Sequence, residues 1–324
     1  MLIAAAAILV GFIVLIWSAD LFVAGAASIA ENLGMSPVII GLTIVSMGTS
    51  APEILVSITA TMAGAGTLAI GNAIGSNIAN VGLVLGVTVM VAPLQVHPSC
   101  MKKEMPILLA VTVGAGLLLI DGRLNRLDGC LMLGCLLLIL LHMMRTQSQD
   151  EVLIGEAEEE PLPGLSPVRA WLTFAFGLLL LIASSRLLVW GATEVAEMLG
   201  VSELIIGLTI VAIGTSLPEL AATVASALRG HTEIAIGNVI GSNLFNLLAV
   251  MSIPGLLKPL ALSPEVLERD YAAMTIATVM LALAVYFGRL RESARPGHSY
   301  VGRSVGAVLL TFYGLYYYLL YVTI

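Results

Sequence analysis

The chain is poor in charge. Lys, Arg, Asp and Glu make up 11% of its 324 residues, against roughly 25% in an ordinary soluble domain. That scarcity excludes a globule with a charged, water-facing surface. Cysteine is scarce too: Cys100, Cys130 and Cys135 are the only three. An odd number without paired spacing excludes a disulfide framework and a thiolate metal motif, leaving small apolar packing residues as the reading. No stripe of Lys or Arg is present, which excludes a nucleic-acid surface. The first apolar run has no basic segment ahead of it, so it reads as a retained membrane span and not as a signal peptide.

What the chain has is apolar length. Residues of the AVILMFWYC set make up 59% of it, and its mean hydropathy is +1.03. Apolar runs of about 20 residues mark transmembrane helices. Ten are expected, at 2–24, 38–63, 67–91, 104–120, 127–144, 168–190, 204–228, 233–256, 270–288 and 303–323. The fold class is therefore an all-α polytopic membrane protein.

The same text occurs twice. GLTIVSMGTSAPEI at 41–54 returns as GLTIVAIGTSLPEL at 207–220, and GNAIGSNIAN at 71–80 returns as GNVIGSNLFN at 237–246. Both offsets are 166, and the blocks 41–80 and 207–246 align without a gap with 20 identities. Residues 1–144 and 168–324 are thus two five-helix repeats. The acidic, proline-containing stretch 145–167 reads as a cytoplasmic linker. Its run Glu156, Glu158, Glu159 and Glu160 lacks the alternating ligand spacing and turn glycine of a calcium loop, so it reads as a solvated charge cluster.

Five helices per repeat is an odd number, so equivalent helices cross in opposite directions: an inverted-topology repeat. With both termini outside, nine of the fourteen basic residues fall on the cytoplasmic side and five outside, as the positive-inside rule favours. Asp20 and Arg186 occupy equivalent positions and so sit toward opposite faces. No salt bridge between them is expected; each reads as snorkelling to an interface.

The repeated blocks carry oxygen chemistry at membrane depth. Ser46, Thr49, Ser50 and Glu53 follow i, i+3, i+4, i+7 spacing and share one helical face; Ala212, Thr215, Ser216 and Glu219 are their equivalents. Pro52 and Pro218 lack an N–H and clash with the carbonyls of Gly48 and Gly214, which predicts broken helices with carbonyls freed around 46–48 and 212–214. Asn72, Ser76 and Asn80, and Asn238, Ser242 and Asn246, form polar stripes at four-residue spacing. Gly71 and Gly75, with Gly237 and Gly241, permit close helix approach, expected to bring Ser76 and Asn80 within reach of Glu53. The alternative for the asparagines and serines is interhelical hydrogen bonding, and for the prolines a plain kink. A structural role for the glutamates is harder to sustain, since one intramembrane carboxylate costs about 2.5–3.5 kcal/mol. All-oxygen donors suit sodium, calcium or magnesium, and the absence of His and Cys from the motifs 41–54, 71–80, 207–220 and 237–246 argues against zinc and copper.

GTSAPE with GNAIGSN, and GTSLPE with GNVIGSN, resemble the paired motifs of the calcium/cation antiporter superfamily, and within it the bacterial sodium/calcium exchangers. The resemblance covers nearly the whole chain. It implies a multi-pass protein of the bacterial inner membrane that exchanges sodium for calcium by alternating access, with a potassium-dependent or proton-coupled exchanger as the alternative. It implies a cluster of cation sites in which Glu53 and Glu219 are shared carboxylates. Thr49, Thr215, Ser50, Ser216, Ser76 and Ser242 would supply hydroxyl or neighbouring oxygens, Ser46 and Ala212 main-chain carbonyls, and Asn80 and Asn246 would close the centre. Helices 1 and 6 of the family slide against this group. The implied partners are the transported ions and the bilayer, with no resident cofactor, nucleic acid or obligatory protein partner. One departure stands out: several family members carry Asp at a position matching Asn80 or Asn246, and here both are neutral.

Two other classes are weighed. A channel would share the ligands, but broken helices with internal ligands favour a carrier. An intramembrane enzyme needs paired aspartates or a serine with a base. Asp20, Asp121, Asp128, Asp150 and Asp270 are expected at helix ends or in loops, and His97, His142, His231 and His298 near interfaces, so no enzyme is expected.

Overall fold

The computed structural model describes residues 1–146, 164–200 and 212–323. The acidic run of the linker and the stretch 201–211, with the first part of the expected span 204–228 and its GLTIV motif, lie outside the described residues. The rest is helical. In chain order the helices are α1 (Leu2–Leu33), α2 (Pro37–Thr49), α3 (Ala51–Met62), α4 (Gly66–Val91), α5 (Met105–Leu118) and α6 (Arg126–Thr146). There follow α7 (Pro167–Met198), α8 (Ala212–Thr215), α9 (Leu217–Leu228), α10 (Thr232–Leu257), α11 (Val266–Gly288) and α12 (Arg303–Thr323).

Among the described residues seven helices are long and apolar enough to cross a membrane, or eight if the bent pair α2–α3 is one span. Two of the ten expected spans are not among them. The α5 helix has 14 residues and continues from a π-helical turn, Cys100–Glu104, that carries Lys102, Lys103 and Glu104, while α9 has 12, its upstream part lying among the undescribed residues.

Two spans are longer than expected. α1 and α7 each run for 32 residues, to Leu33 and Met198, where apolar runs ending near 24 and 190 were expected. Small helix-forming residues such as Ala26, Ala27 and Ala30 carry α1 past the apolar run, and Gly34 ends it in the left-handed conformation (φ 61°), its N–H reaching the carbonyls of Ala30 and Glu31. At 1.5 Å per residue each helix is ~48 Å long, against about 30 Å of hydrocarbon, so both must tilt or protrude. Asp20 consequently lies inside a helix and not at its end.

α1 and α7 pack face to face along their length. A side chain at Gly177 would lie 2.6 Å from the Phe22 backbone, and one at Gly11 would lie 3.1 Å from the Leu188 backbone. Glycine at both positions is what allows two backbones so close. The pair has its own apolar core, from Leu15, Phe22, Ile29, Phe174 and Leu181 with Ile40, Val45, Ala222 and Ile234. A second, larger core joins α4, α5, α6, α10, α11 and α12.

Two short ribbons tie distant parts of the chain. β1 (Leu94–Val96) pairs antiparallel with β4 (Ser299–Val301), and β2 (Arg123–Leu124) with β3 (Leu260–Ala261). Each joins a loop of the first half to a loop of the second.

Candidate cation-binding centre

Proline sets the local geometry. Pro52 and Pro218 each stand in the first turn of a helix that restarts after a break, and the residues at the two breaks share one conformation: Ser50 at φ −82°, ψ 4° and Ser216 at φ −89°, ψ 3°. Without a proline N–H the preceding turn cannot close as α-helix, and α3 leaves α2 at 43°. The break places Glu53 and Glu219 in the first turns of α3 and α9. Backbone N–H groups are unpaired at such a start and favour negative charge. That support was not read from the sequence, although Pro one position ahead of an acid is its signal.

Both carboxylates are shut away from the outside, Glu53 at 1% and Glu219 at 2% exposure. Ser50, one turn before Glu53, contacts the Glu219 carboxylate, which brings the two acids into one centre. Its contacts run across the halves. Ser50 Oγ donates to Glu219 Oε1 at 3.3 Å. Thr49 Oγ1 donates to Asn238 Oδ1 at 3.2 Å and lies 3.5 Å from Ser242 Oγ. Asn72 Nδ2 donates to the Glu53 carbonyl at 3.2 Å. Asn238 Nδ2 donates to Thr223 Oγ1 at 2.9 Å, and Thr223 donates to the Glu219 carbonyl at 2.6 Å. The asparagines therefore brace the backbones that carry the acids.

The helices of the centre meet differently from the sequence expectation. Gly237 and Gly241 of α10 press on α2: a side chain at Gly237 would lie 2.6 Å from the Val38 carbonyl, and one at Gly241 2.5 Å from that of Leu42. The glycines thus dock α10 of the second half on α2 of the first, and do not serve to bring Ser76 and Asn80 to Glu53. For Gly71 and Gly75 the equivalent partners fall at 204–208, outside the described residues.

The remaining expected ligands separate into groups. Ser76, Ser216, Asn80 and Asn246 are buried and Thr215 is half-buried. The Ser46 carbonyl is not free as expected: it accepts the Ser50 N–H at 2.9 Å and has Thr49 Oγ1 at 3.3 Å. Ser50 lies before the proline and keeps its helical bond to Ser46, so the break does not reach back to Ser46. In the second half the Ser216 N–H goes instead to the Ile213 carbonyl at 3.1 Å, one residue past Ala212. Asn80 and Asn246 each open a π-helical turn, Asn80–Leu85 and Asn246–Val250. Single π turns re-aim side chains and recur at functional sites; their positions were not legible in the sequence.

Two residues that the sequence reading passed over sit beside them. Asn77 Nδ2 donates to the Asn243 carbonyl at 3.2 Å, and Asn80 Nδ2 to Asn243 Oδ1 at 3.2 Å. The repeated GSN text was the available signal.

Several buried polar atoms of the centre have no hydrogen-bond partner: both carboxylate oxygens of Glu53, Oε2 of Glu219, Oγ of Ser216, Oδ1 of Asn80 and both amide atoms of Asn246. Buried polar atoms are rarely left unmatched, so such a group points to a bound ion or water. The donor set is rich in oxygen, with two acids. Among the described residues no three His, Cys, Asp or Glu side chains come together, so the neutral oxygens are needed to complete any coordination shell. Hard cations accept such a shell.

Away from the centre, Asp20 and Arg186 do not pair. Asp20 instead meets Arg229 at 2.5 Å, while Arg186 is exposed. Of the cysteines, Cys100 is buried as expected of a packing residue, Cys135 is half-buried and Cys130 is exposed.

Long apolar helices around a buried acidic centre lined by neutral oxygens define a membrane carrier of hard cations, and comparison with known proteins agrees. The family model described as sodium/calcium exchanger protein matches residues 3–145 and 169–322. The chain belongs to the sodium/calcium exchanger family and is a membrane antiporter of it. It is 45% identical to the putative antiporter CaxA of Alkalimonas amylolytica over 99% of both chains. It is 39% identical to the inner membrane protein YrbG of Escherichia coli, over 95% of this chain and 94% of that one. The solved sodium-calcium exchanger NCX_Mj superposes with a TM-score of 0.82 at 31% identity, over 97% of this chain and 98% of that one.

Proposed function

We propose that the protein exchanges sodium for calcium across the bacterial inner membrane, by alternating access at the Glu53–Glu219 centre. The observation that carries this reading is the set of unmatched buried oxygens on those two glutamates. An unpaired charge in a low-dielectric interior is heavily penalised. Sodium ions or one calcium ion, bound to the same carboxylates, would each neutralise the centre. Only the neutralised centre would let the surrounding helices move past it, and that restriction makes exchange obligatory.

The proposed ligands are Glu53 and Glu219, the hydroxyls of Thr49, Thr215, Ser50, Ser216, Ser76 and Ser242, the amides of Asn80 and Asn246, and the carbonyls of Ser46 and Ala212. The Ser46 carbonyl would have to exchange its Thr49 contact for the ion. No resident cofactor or protein partner enters this scheme.

The scaffold we infer is ten spans in two inverted five-helix repeats, 1–144 and 168–324, joined by the cytoplasmic linker 145–167, with both termini outside. Contacts at the repeat offset support it. Gly11–Leu188 and Phe22–Gly177 are equivalent pairs, as an internal two-fold requires. Asn77 and Asn243 are sequence equivalents that touch each other, as residues beside such an axis would. Each short ribbon pairs a strand of one half with a strand of the other.

The test is calcium flux into proteoliposomes driven by a sodium gradient. Flux that Glu53→Gln abolishes supports the reading; equal flux in the two proteins would refute it. Flux driven by a pH gradient without sodium would assign proton coupling, a potassium requirement would assign cotransport, and uncoupled current would indicate a channel.

A further inference from the structure

We propose that Asp20 and Ser185 latch the α1–α7 pair to the second half, and that both ties must open during transport. The inference rests on the antiporter reading and its inverted repeats. The α1–α7 pair centres a core distinct from the larger one, and it lies across the broken helices that carry the acids, which contribute Ile40, Val45 and Ala222 to that core. Apolar and glycine-lined surfaces dominate its contacts, and such surfaces place few directional constraints on sliding. Among the described residues, two polar ties to α8 and α9 interrupt them. Ser185 Oγ donates to the Gly214 carbonyl at 2.9 Å. This is the carbonyl that the ring of Pro218 deprives of its helical donor, and it immediately precedes Thr215 and Ser216. At the far end of α9, Asp20 Oδ1 meets both Nε and Nη2 of Arg229 at 2.5 Å. The two ties therefore grip α8 and the end of α9 at two levels.

The repeat makes these ties informative. The position equivalent to Ser185 is Ala19, the one equivalent to Arg229 is Ala63, and the one equivalent to Asp20 is Arg186. In an inverted repeat the opposite-facing state is the one obtained by exchanging the roles of the halves. There, Ala19 would face Gly48 and Arg186 would face Ala63, so neither tie can form. The described state thus holds two polar contacts that its counterpart lacks. The chain encodes a preference for one face of the membrane in two side chains outside the ion centre.

Ser185, Asp20 and Arg229 act as positioning residues. In a variant with Cys100, Cys130 and Cys135 replaced by Ala, Asp20→Cys with Arg229→Cys allows the tie to be locked by a short bis-methanethiosulfonate cross-linker, which spans the length of the lost side chains. Sodium-driven calcium flux in proteoliposomes is expected to collapse on cross-linking and to return on reduction. Undiminished flux in the cross-linked protein would overturn the proposal. A second readout is independent of flux: hydrogen–deuterium exchange of amides 212–230 in the reconstituted full chain with native cysteines. Asp20→Arg and Arg229→Asp singly are expected to speed that exchange about two- to fivefold, as for loss of a partly exposed ion pair. The double reversal is expected to restore it. Additive acceleration in the double variant would overturn the latch even if the protein moved no calcium, whereas restored protection without sodium-driven flux in the parent would count against the antiporter reading alone.

Discussion

Ser50 reaches across the repeat to Glu219, its hydroxyl 3.3 Å from Oε1, while Glu53, three residues further along its own half, keeps both oxygens unmatched. The two acids are repeat equivalents in the sequence and inequivalent in their surroundings. Glu53 has two unmatched carboxylate oxygens against one on Glu219, whose other oxygen accepts a hydrogen bond from the opposite half.

The first prediction concerns that inequality. Glu53→Gln and Glu219→Gln are both expected to lower sodium-driven calcium flux at least about a hundredfold, since each removes a charge-assisted contact worth roughly 1.5–3 kcal/mol and half of the neutralising charge. Ser50→Ala removes the cross-repeat hydrogen bond and one neutral oxygen but leaves both carboxylates. It is expected to alter the half-saturating calcium concentration by about tenfold or less, with a smaller effect on maximal flux. Isotope uptake across a calcium series distinguishes these outcomes.

A second prediction addresses the neutral amides. Asn246→Asp would add a third carboxylate to a centre that one calcium ion already balances. Calcium loading would then require a further cation or a proton to avoid leaving a buried charge. Calcium flux in this variant is expected to fall as pH rises, while the native protein changes little over the same range. A flat profile in Asn246→Asp would show that the amide does not face the ion.

The docking of α10 on α2 should be sensitive to a single methyl group. A Cβ at Gly237 meets the Val38 carbonyl at 2.6 Å, and a backbone oxygen cannot rotate away as a side chain can. Gly237→Ala is expected to destabilise the fold by about 1–3 kcal/mol, the usual cost of overpacking. Thermal unfolding in detergent measures it, and an unchanged midpoint would mean that the helices separate readily.

Tyr271 provides a contrasting control. Its hydroxyl donates to the Thr112 carbonyl at 2.5 Å, joining α11 to α5 away from the acids. Tyr271→Phe is expected to cost about 0.5–1.5 kcal/mol in stability, the net worth of one hydrogen bond. Its flux should match the native protein when both are assayed well below their unfolding midpoints.

Much of the centre was legible before any coordinates. Glu53 and Glu219 were singled out because a carboxylate inside an apolar run needs a reason, and Pro52 and Pro218 announced the breaks beside them. The ends of α1 and α7 were not legible, because alanine-rich turns continue a helix without continuing the apolar run used to find it. Ser46 was misread because proline removes a donor locally, and the residue that bonds to Ser46 lies before the proline. The partner of Asp20 was hidden as well: repeat position excluded Arg186 and left Asp20 reading as snorkelling to an interface, whereas its pairing with Arg229 depends on how two helices cross.

The order of residues alone determined the membrane setting, the duplication and the two acids. Those depend on hydrophobicity, on a constant offset and on the cost of burying charge, all of which are properties of the chain read locally. Only the tertiary structure decided that each half completes the other: Ser50 with Glu219, Thr49 with Asn238, Gly237 with Val38. Contacts between segments some 170 to 200 residues apart are set by packing and helix crossing, and no local rule of spacing contains them.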